Sequence, residues 1–117
     1  MEWIDQWAYN ENVRINYLES RTHDERLMPL LYIPGALNAA EQVLGMLNGF
    51  YPRKRVAVSL RGRGKSKAPQ SGYSLDDHAS DIEAAVKASG LVKYYLMAHS
   101  LGVPYATRFA AIQASRS

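Results

Sequence analysis

Ser100 stands in the run Ala98-His99-Ser100-Leu101-Gly102, a serine flanked two residues away on each side by a small residue. A serine hydroxyl lifted on a tight strand-to-helix turn can attack a carbonyl carbon. The flanking positions must be small because the two backbones nearly touch there. Alanine fills the first of these positions, where glycine is commonest, and is still small. The apolar run Tyr94-Tyr95-Leu96-Met97 precedes the turn, and a helix-forming segment from Leu101 to about Ala114 follows it. The blander reading is a serine capping a helix N-terminus. The strand-turn-helix context favours the nucleophile.

A second chemical candidate is Ile33-Pro34-Gly35-Ala36-Leu37, a glycine loop after an apolar strand. Such a loop can aim a backbone N–H at a developing oxyanion. Alone it reads equally well as a strand-ending turn. A third candidate, Ser59-Leu60-Arg61-Gly62-Arg63-Gly64-Lys65-Ser66, ends like a phosphate-binding loop. That chemistry requires a helix to begin at the Lys-Ser pair. Here Pro69 and Gly72 follow instead, so the phosphate reading fails. The cluster Arg53, Lys54, Arg55, Arg61, Arg63, Lys65 and Lys67 lacks the interleaved aromatics of a nucleic-acid surface and reads as a solvated loop.

A serine nucleophile needs a base, usually a histidine held by a carboxylate. The chain has three histidines. His23 falls in a polar loop. His78 falls on a helix, off the apolar face of Leu75, Ala79, Ile82 and Val86. His99 adjoins the serine, where neighbouring side chains diverge. None is placed as the base, and no histidine spacing suggests a metal site.

The elements that must hold these residues follow from pattern. Val13 to Ser20 alternates apolar with polar and predicts a strand with one solvated face, Arg14 and Asn16; Trp3 to Tyr9 is its hairpin partner. Leu27 to Ile33 and Arg55 to Leu60 are apolar enough to be buried on both faces. Asn38 with Glu41 predicts a helix start, with Val43, Leu44, Leu47 and Phe50 on one face. Ser74 with Asp77 starts a second helix, and Gly90 stops it. A strand pair followed by three strand-helix units predicts a mostly parallel sheet covered on both faces.

At 117 residues the chain is one domain at most, with 47% hydrophobic residues and a net charge of +3. That charge is too mild to imply nucleic acid. There is no cysteine, so disulfides and thiolate catalysis are excluded. No stretch reaches the length of a membrane span, and the first residues do not read as a signal peptide. A cytoplasmic location is the default expectation, and no cofactor is called for.

Four segments, Leu30 to Gly35, Val56 to Ser66, Tyr73 to Ile82 and Met97 to Gly102, together resemble the first half of an alpha/beta-hydrolase-fold protein in order and spacing. The resemblance implies Ser100 as nucleophile, with the backbone N–H groups of Leu101 and Ala36 as oxyanion donors. It implies Gly35 and Gly102 as sites of close backbone approach, with His99 supporting. The loop Arg61 to Ser66 would be structural, and Asp81 a packing or hydrogen-bonding position. The chain departs from the family where Pro34 stands for a frequent histidine and Ser59 for a frequent aspartate. Residues 1–117 are thus expected to form a single partial alpha/beta-hydrolase domain, an N-terminal half-sheet lacking its later strands, catalytic acid and histidine. The expected function is serine hydrolysis of a small carbonyl substrate, an ester or amide, with little activity in this chain alone. The alternative is a non-catalytic domain that self-associates through the open edge at Tyr94 to Ala98.

Overall fold

The computed structural model describes residues 3–35 and 39–116. Strands β1 (Trp3–Asn10) and β2 (Val13–Ser20) form a hairpin, closed by Glu11 and Asn12 with Glu11 at φ 54°. β3 (Leu30–Ile33), β4 (Arg55–Val58) and β5 (Tyr95–Ala98) complete a five-stranded sheet of order β1-β2-β4-β3-β5. β2 pairs antiparallel with β4, and β3 lies parallel between β4 and β5. The strand pair and the parallel core agree with the sequence pattern, and the position of β5 at an edge agrees with what the resemblance implies.

Successive residues on β3 face opposite sides, as strand geometry dictates. Leu31 and Ile33 join Val56, Val58, Ile82, Val86 and Phe109 in one core. Leu30 and Tyr32 join Ala57, Val43 and Leu47 in another. The first core is roofed by α2 (Leu75–Ser89) and α3 (Gly102–Ser115). The second is covered by the β3–β4 connection, so the sheet has helical cover on both faces.

That connection is not one regular helix. It runs as a 3₁₀ turn (Ala40–Val43), a single α turn termed α1 (Leu44–Leu47) and a second 3₁₀ turn (Asn48–Phe50). Gly45 and Gly49 explain the break, since glycine weakens a helix interior by about 1 kcal/mol relative to alanine. Asn38 lies outside the described residues. The turn is capped instead at Ala39, whose N–H donates to Oε1 of Gln42 at 2.6 Å.

α2 follows its sequence signals closely. Ser74 Oγ accepts from the Asp77 N–H at 3.0 Å, and the Asp77 carboxylate accepts from the Ser74 N–H at 3.1 Å. Gly90 ends the helix at φ 75°. The buried face differs from expectation: Leu75 is exposed and His78 is buried. α3 crosses α2 there, and Tyr105 stacks on His78.

The basic cluster also differs from the solvated loop expected of it. Arg55 and Arg61 are buried. Asn16, expected on a solvated face, is fully buried because the loop after β4 folds over it: Ser59 N–H donates to the Asn16 carbonyl at 3.0 Å, and Asn16 N–H donates to Ser66 Oγ at 2.8 Å. Asp81 accepts from Arg61 Nε and Nη2, both at 2.8 Å, with both side chains almost wholly out of solvent. Arg55 lies over the rings of Trp3 and Tyr51. Periodicity cannot report this, because burial of the cluster depends on a loop closing over it.

Candidate active site

The C-terminal ends of the three parallel strands face one way. β3 ends at Ile33 and leads into Pro34 and Gly35, which are buried. β5 ends at Ala98 and leads into His99 and Ser100, which are exposed. His99 N–H continues the pairing by donating to the Ile33 carbonyl at 3.3 Å. The two loops predicted to act together therefore emerge side by side.

Ser100 has φ 56°, the left-handed region that non-glycine residues rarely occupy. Such conformations persist where surrounding structure over-determines them. Here the constraint is visible on both sides. Gly102 N–H donates to the His99 carbonyl at 2.9 Å and Val103 N–H to the Ser100 carbonyl at 3.0 Å, which winds the chain directly into α3. A Cβ on Gly102 would lie 2.6 Å from the Ile33 carbonyl oxygen, and closer still to that of Pro34. Only glycine permits this approach of α3 to the end of β3.

Ser100 is not the cap of α3. Leu101 occupies the N-cap position and no side chain caps it. The Leu101 N–H, beside Ser100, makes no backbone hydrogen bond among the described residues. Of the expected pair of oxyanion donors, Leu101 is thus at the turn. Ala36 lies outside the described residues.

Around the turn, Ser59 at the end of β4 accepts the Ala40 N–H at 2.8 Å. Gly64 packs against Ala39 and Ser59 so tightly that a Cβ would stand 2.8 Å from the Ala39 Cβ. The strand-end loop of β4 therefore braces the far end of the Gly35 loop. Nothing in the sequence pattern singled out Ser59 for this contact.

The histidines are not gathered at Ser100. His23 follows β2, whose end lies against the start of β4, and Asp24 N–H donates to the Pro52 carbonyl at 2.7 Å. It sits at the end of the sheet opposite Ser100. His78 is held between Ser74, Arg63 and Tyr105. Among the described residues no group of three His, Asp or Glu side chains is arranged to hold a metal ion. No helix among them is long and apolar enough to cross a membrane.

An open groove of about 380 Å³ runs between β5 and α3, lined by Leu96, Ala98, Val103, Ala106, Thr107 and Ala110. It follows the free edge of β5 and is wholly uncharged.

A sequence profile of the alpha/beta hydrolase fold matches residues 28–116, and the chain belongs to that family. Among curated proteins it is similar to N-formylmaleamate deformylase of Pseudomonas putida, at 44% identity over 55 residues covering 46% of this chain and 20% of that one. It is similar also to 2-(acetamidomethylene)succinate hydrolase of Mesorhizobium japonicum, at 36% identity over 56 residues, 48% of this chain and 20% of that one. Among solved structures, a bacterial membrane phospholipase A described as a virulence factor superposes with TM-score 0.84 at 26% identity, covering 97% of this chain and 37% of that one. An alpha/beta hydrolase from Novosphingobium aromaticivorans gives TM-score 0.84 at 21% identity, covering 98% and 41%, a likeness of fold. The chain spans about a fifth of the length of these curated relatives.

Proposed function

We propose that this chain carries the charge-binding half of a serine hydrolase site. Ser100 Oγ attacks the carbonyl carbon of a small ester or amide, and the N–H groups of Leu101 and Ala36 receive the oxyanion of the tetrahedral intermediate. The observation that carries the reading is Ser100 at φ 56°, exposed at the end of β5, on a turn that presses Gly102 against the carbonyls of Ile33 and Pro34. Gly35 and Gly102 serve the close approach, and His99 ties the turn to β3 through its backbone.

The proton of Ser100 needs an acceptor. His23 is at the far end of the sheet, His78 is committed elsewhere, and His99 is the immediate neighbour of the serine. The base and its carboxylate are therefore expected from polypeptide beyond these elements, and the chain alone is expected to hydrolyse esters near background. For substrate class, both curated relatives bear an N-formyl or acetamido group and a small carboxylate in their names. An acylated nitrogen on a small carboxylate is accordingly the first class to assay.

The test is chemical rescue. The chain is incubated with p-nitrophenyl acetate with and without imidazole as external base, and acetylated peptides are quantified by mass spectrometry. Acetyl-Ser100 should accumulate with imidazole and be absent in Ser100→Ala. Acetylation spread evenly over exposed serines would overturn the nucleophile. Rapid turnover without imidazole would overturn the half-site.

One observation favours a second reading, a non-catalytic domain that pairs through β5: neither that strand nor the groove beside it carries a charge. Edge strands commonly carry charges that block association. Light scattering across a dilution series separates the readings, since a monomer at every concentration excludes pairing.

A further inference from the structure

His78 is 2% exposed and lies where three elements meet. Its Nδ1 is 2.8 Å from the Ser74 carbonyl oxygen, and its Nε2 is 2.8 Å from Nη1 of Arg63. A carbonyl can only accept and a guanidinium can only donate. The ring must therefore be neutral, with the proton on Nδ1 and the Nε2 lone pair facing Arg63. Tyr105 of α3 stacks on the ring at 4.1 Å and 5° between planes. Tyr73 approaches at 6.0 Å. Arg63 also donates to the Arg61 carbonyl at 2.9 Å and lies 6.0 Å over the Tyr105 ring.

One proton on Nε2 converts this acceptor into a donor facing a cation. The ring has no route to solvent while Tyr105 covers it, so contact with Arg63 and burial of a charged imidazole cannot both persist. Arg63 belongs to the loop that carries Gly64, and Gly64 packs against Ala39 and Ser59. We propose that His78 is an acid-released clamp: neutral, it fastens the loop Arg61 to Ser66 and the first turns of α3 to the start of α2, and protonated, it frees them.

The charges around the ring are consistent with this. From the loop, Arg63 and Arg61 face it. From its own helix, Asp77 and Asp81 are near, but Asp81 is bound to Arg61 and Asp77 to the Ser74 N–H. From α3 come Tyr105 and, at the seam, Arg108, which pairs with Asp76 at 2.6 Å. Burial first, then the two guanidiniums, lower the proton affinity of His78; the Ser74 carbonyl and Asp81 oppose them. A histidine whose folded pKa is depressed contributes stability above its unfolded value near 6.5 and loses it as pH falls through the folded value. Each unit of depression is a tenfold loss in the folding constant across that window.

The experiment is imidazole ¹⁵N NMR on the intact chain. His78 should show the Nδ1–H tautomer and titrate below the ordinary imidazole value near 6.5. Hydrogen exchange of residues 61–66 and the first turns of α3, corrected for intrinsic rates, should rise at least threefold between pH 7.5 and 5.5. His78→Gln, whose side-chain oxygen still accepts from Arg63 but does not titrate, should abolish that rise. An Nε2–H tautomer, titration at or above the ordinary imidazole value near 6.5, or an unchanged rise in the variant would each overturn the proposal. Should the variant not fold, the tautomer, titration and exchange of the unsubstituted chain still decide it.

Discussion

At one edge of the sheet β1 presents eight residues that include Asp5 and Gln6, with Lys65 bound to Asp5 at 2.8 Å. At the other, β5 presents four residues, Tyr95 to Ala98, without a charge among them. Behind β1, a polar lattice locks the hairpin turn to α2. Asn10 Nδ2 donates to Ser80 Oγ at 2.7 Å and to Asp81 at 2.9 Å, and Asp81 holds Arg61. On the side of β5 away from β3, the described residues show α3 and an uncharged groove open between the two. The edge far from Ser100 is finished with side chains that end a sheet. The edge next to Ser100 has the surface of an interior, and the turn that carries the proposed chemistry sits on it. The difference teaches that the two sides do separate work: the first holds the fold, and the second holds one strained turn against one strand end.

The largest effect should come from the finished side. Asp81→Ala leaves the Arg61 guanidinium buried without its carboxylate. Removing one partner of a buried pair costs about 3–5 kcal/mol. Urea denaturation should show that loss, with acetylation of Ser100 per folded molecule unchanged. A loss under about 1 kcal/mol would mean the lattice is ornamental, and the contrast between the edges would fail. Gly102→Ala should cost less, about 1–3 kcal/mol as overpacking does, yet it should abolish Ser100 acetylation. The new Cβ meets backbone carbonyls, which cannot rotate aside, so α3 must withdraw from β3 and carry Ser100 with it. Gly45→Ala, where nothing lies within 4 Å, is the control: it should leave Ser100 acetylation unchanged and raise stability by up to about 1 kcal/mol rather than lower it.

Much of this arrangement was legible in the sequence because it is local. Ser74 and Asp77 cap a helix by contacts three residues apart, Gly90 stops it by its own φ, and the spacing of Ala98, Ser100 and Gly102 describes one turn. The open edge at β5 followed from the family resemblance, which makes that strand central in a longer sheet. What escaped is non-local. Arg61 and Asp81 are twenty residues apart, and Asn16 is buried by a loop fifty residues later. A helical wheel places His78 outside the apolar stripe, and it cannot know that Tyr105 will lie there. The segment after Asn38 and Glu41 lacks the regular helix its spacing predicts for a different reason: Gly45 and Gly49 lie within it and break it into short turns. The turn that holds Ser100 and Leu101 was readable from the spacing, and the role proposed for the Leu101 N–H came from the family resemblance; no base was readable, since no histidine among the described residues is brought to the serine.

The smallest effect is the sharpest test of which charges matter on the finished side. Lys65 reaches Asp5 from the same loop as Arg61, and Glu41 stands 3.9 Å away. The hydrogen bond from Lys65 holds the Asp5 carboxyl below its ordinary range. A carboxylate so depressed adds stability at neutral pH that fades as pH falls through its folded value. Both side chains are about half exposed, however, and solvent and salt screen such pairs. Lys65→Met should therefore leave the urea midpoint at pH 7 unmoved within error and erase only a slight salt dependence. Asp5 remains charged on the β1 edge in that variant, so the edge stays guarded and the chain no more prone to associate through it. Were Lys65→Met as damaging as Asp81→Ala, surface charge rather than the buried lattice would be holding the loop. The separation drawn between Arg61, inside, and Lys65, outside, would then be wrong.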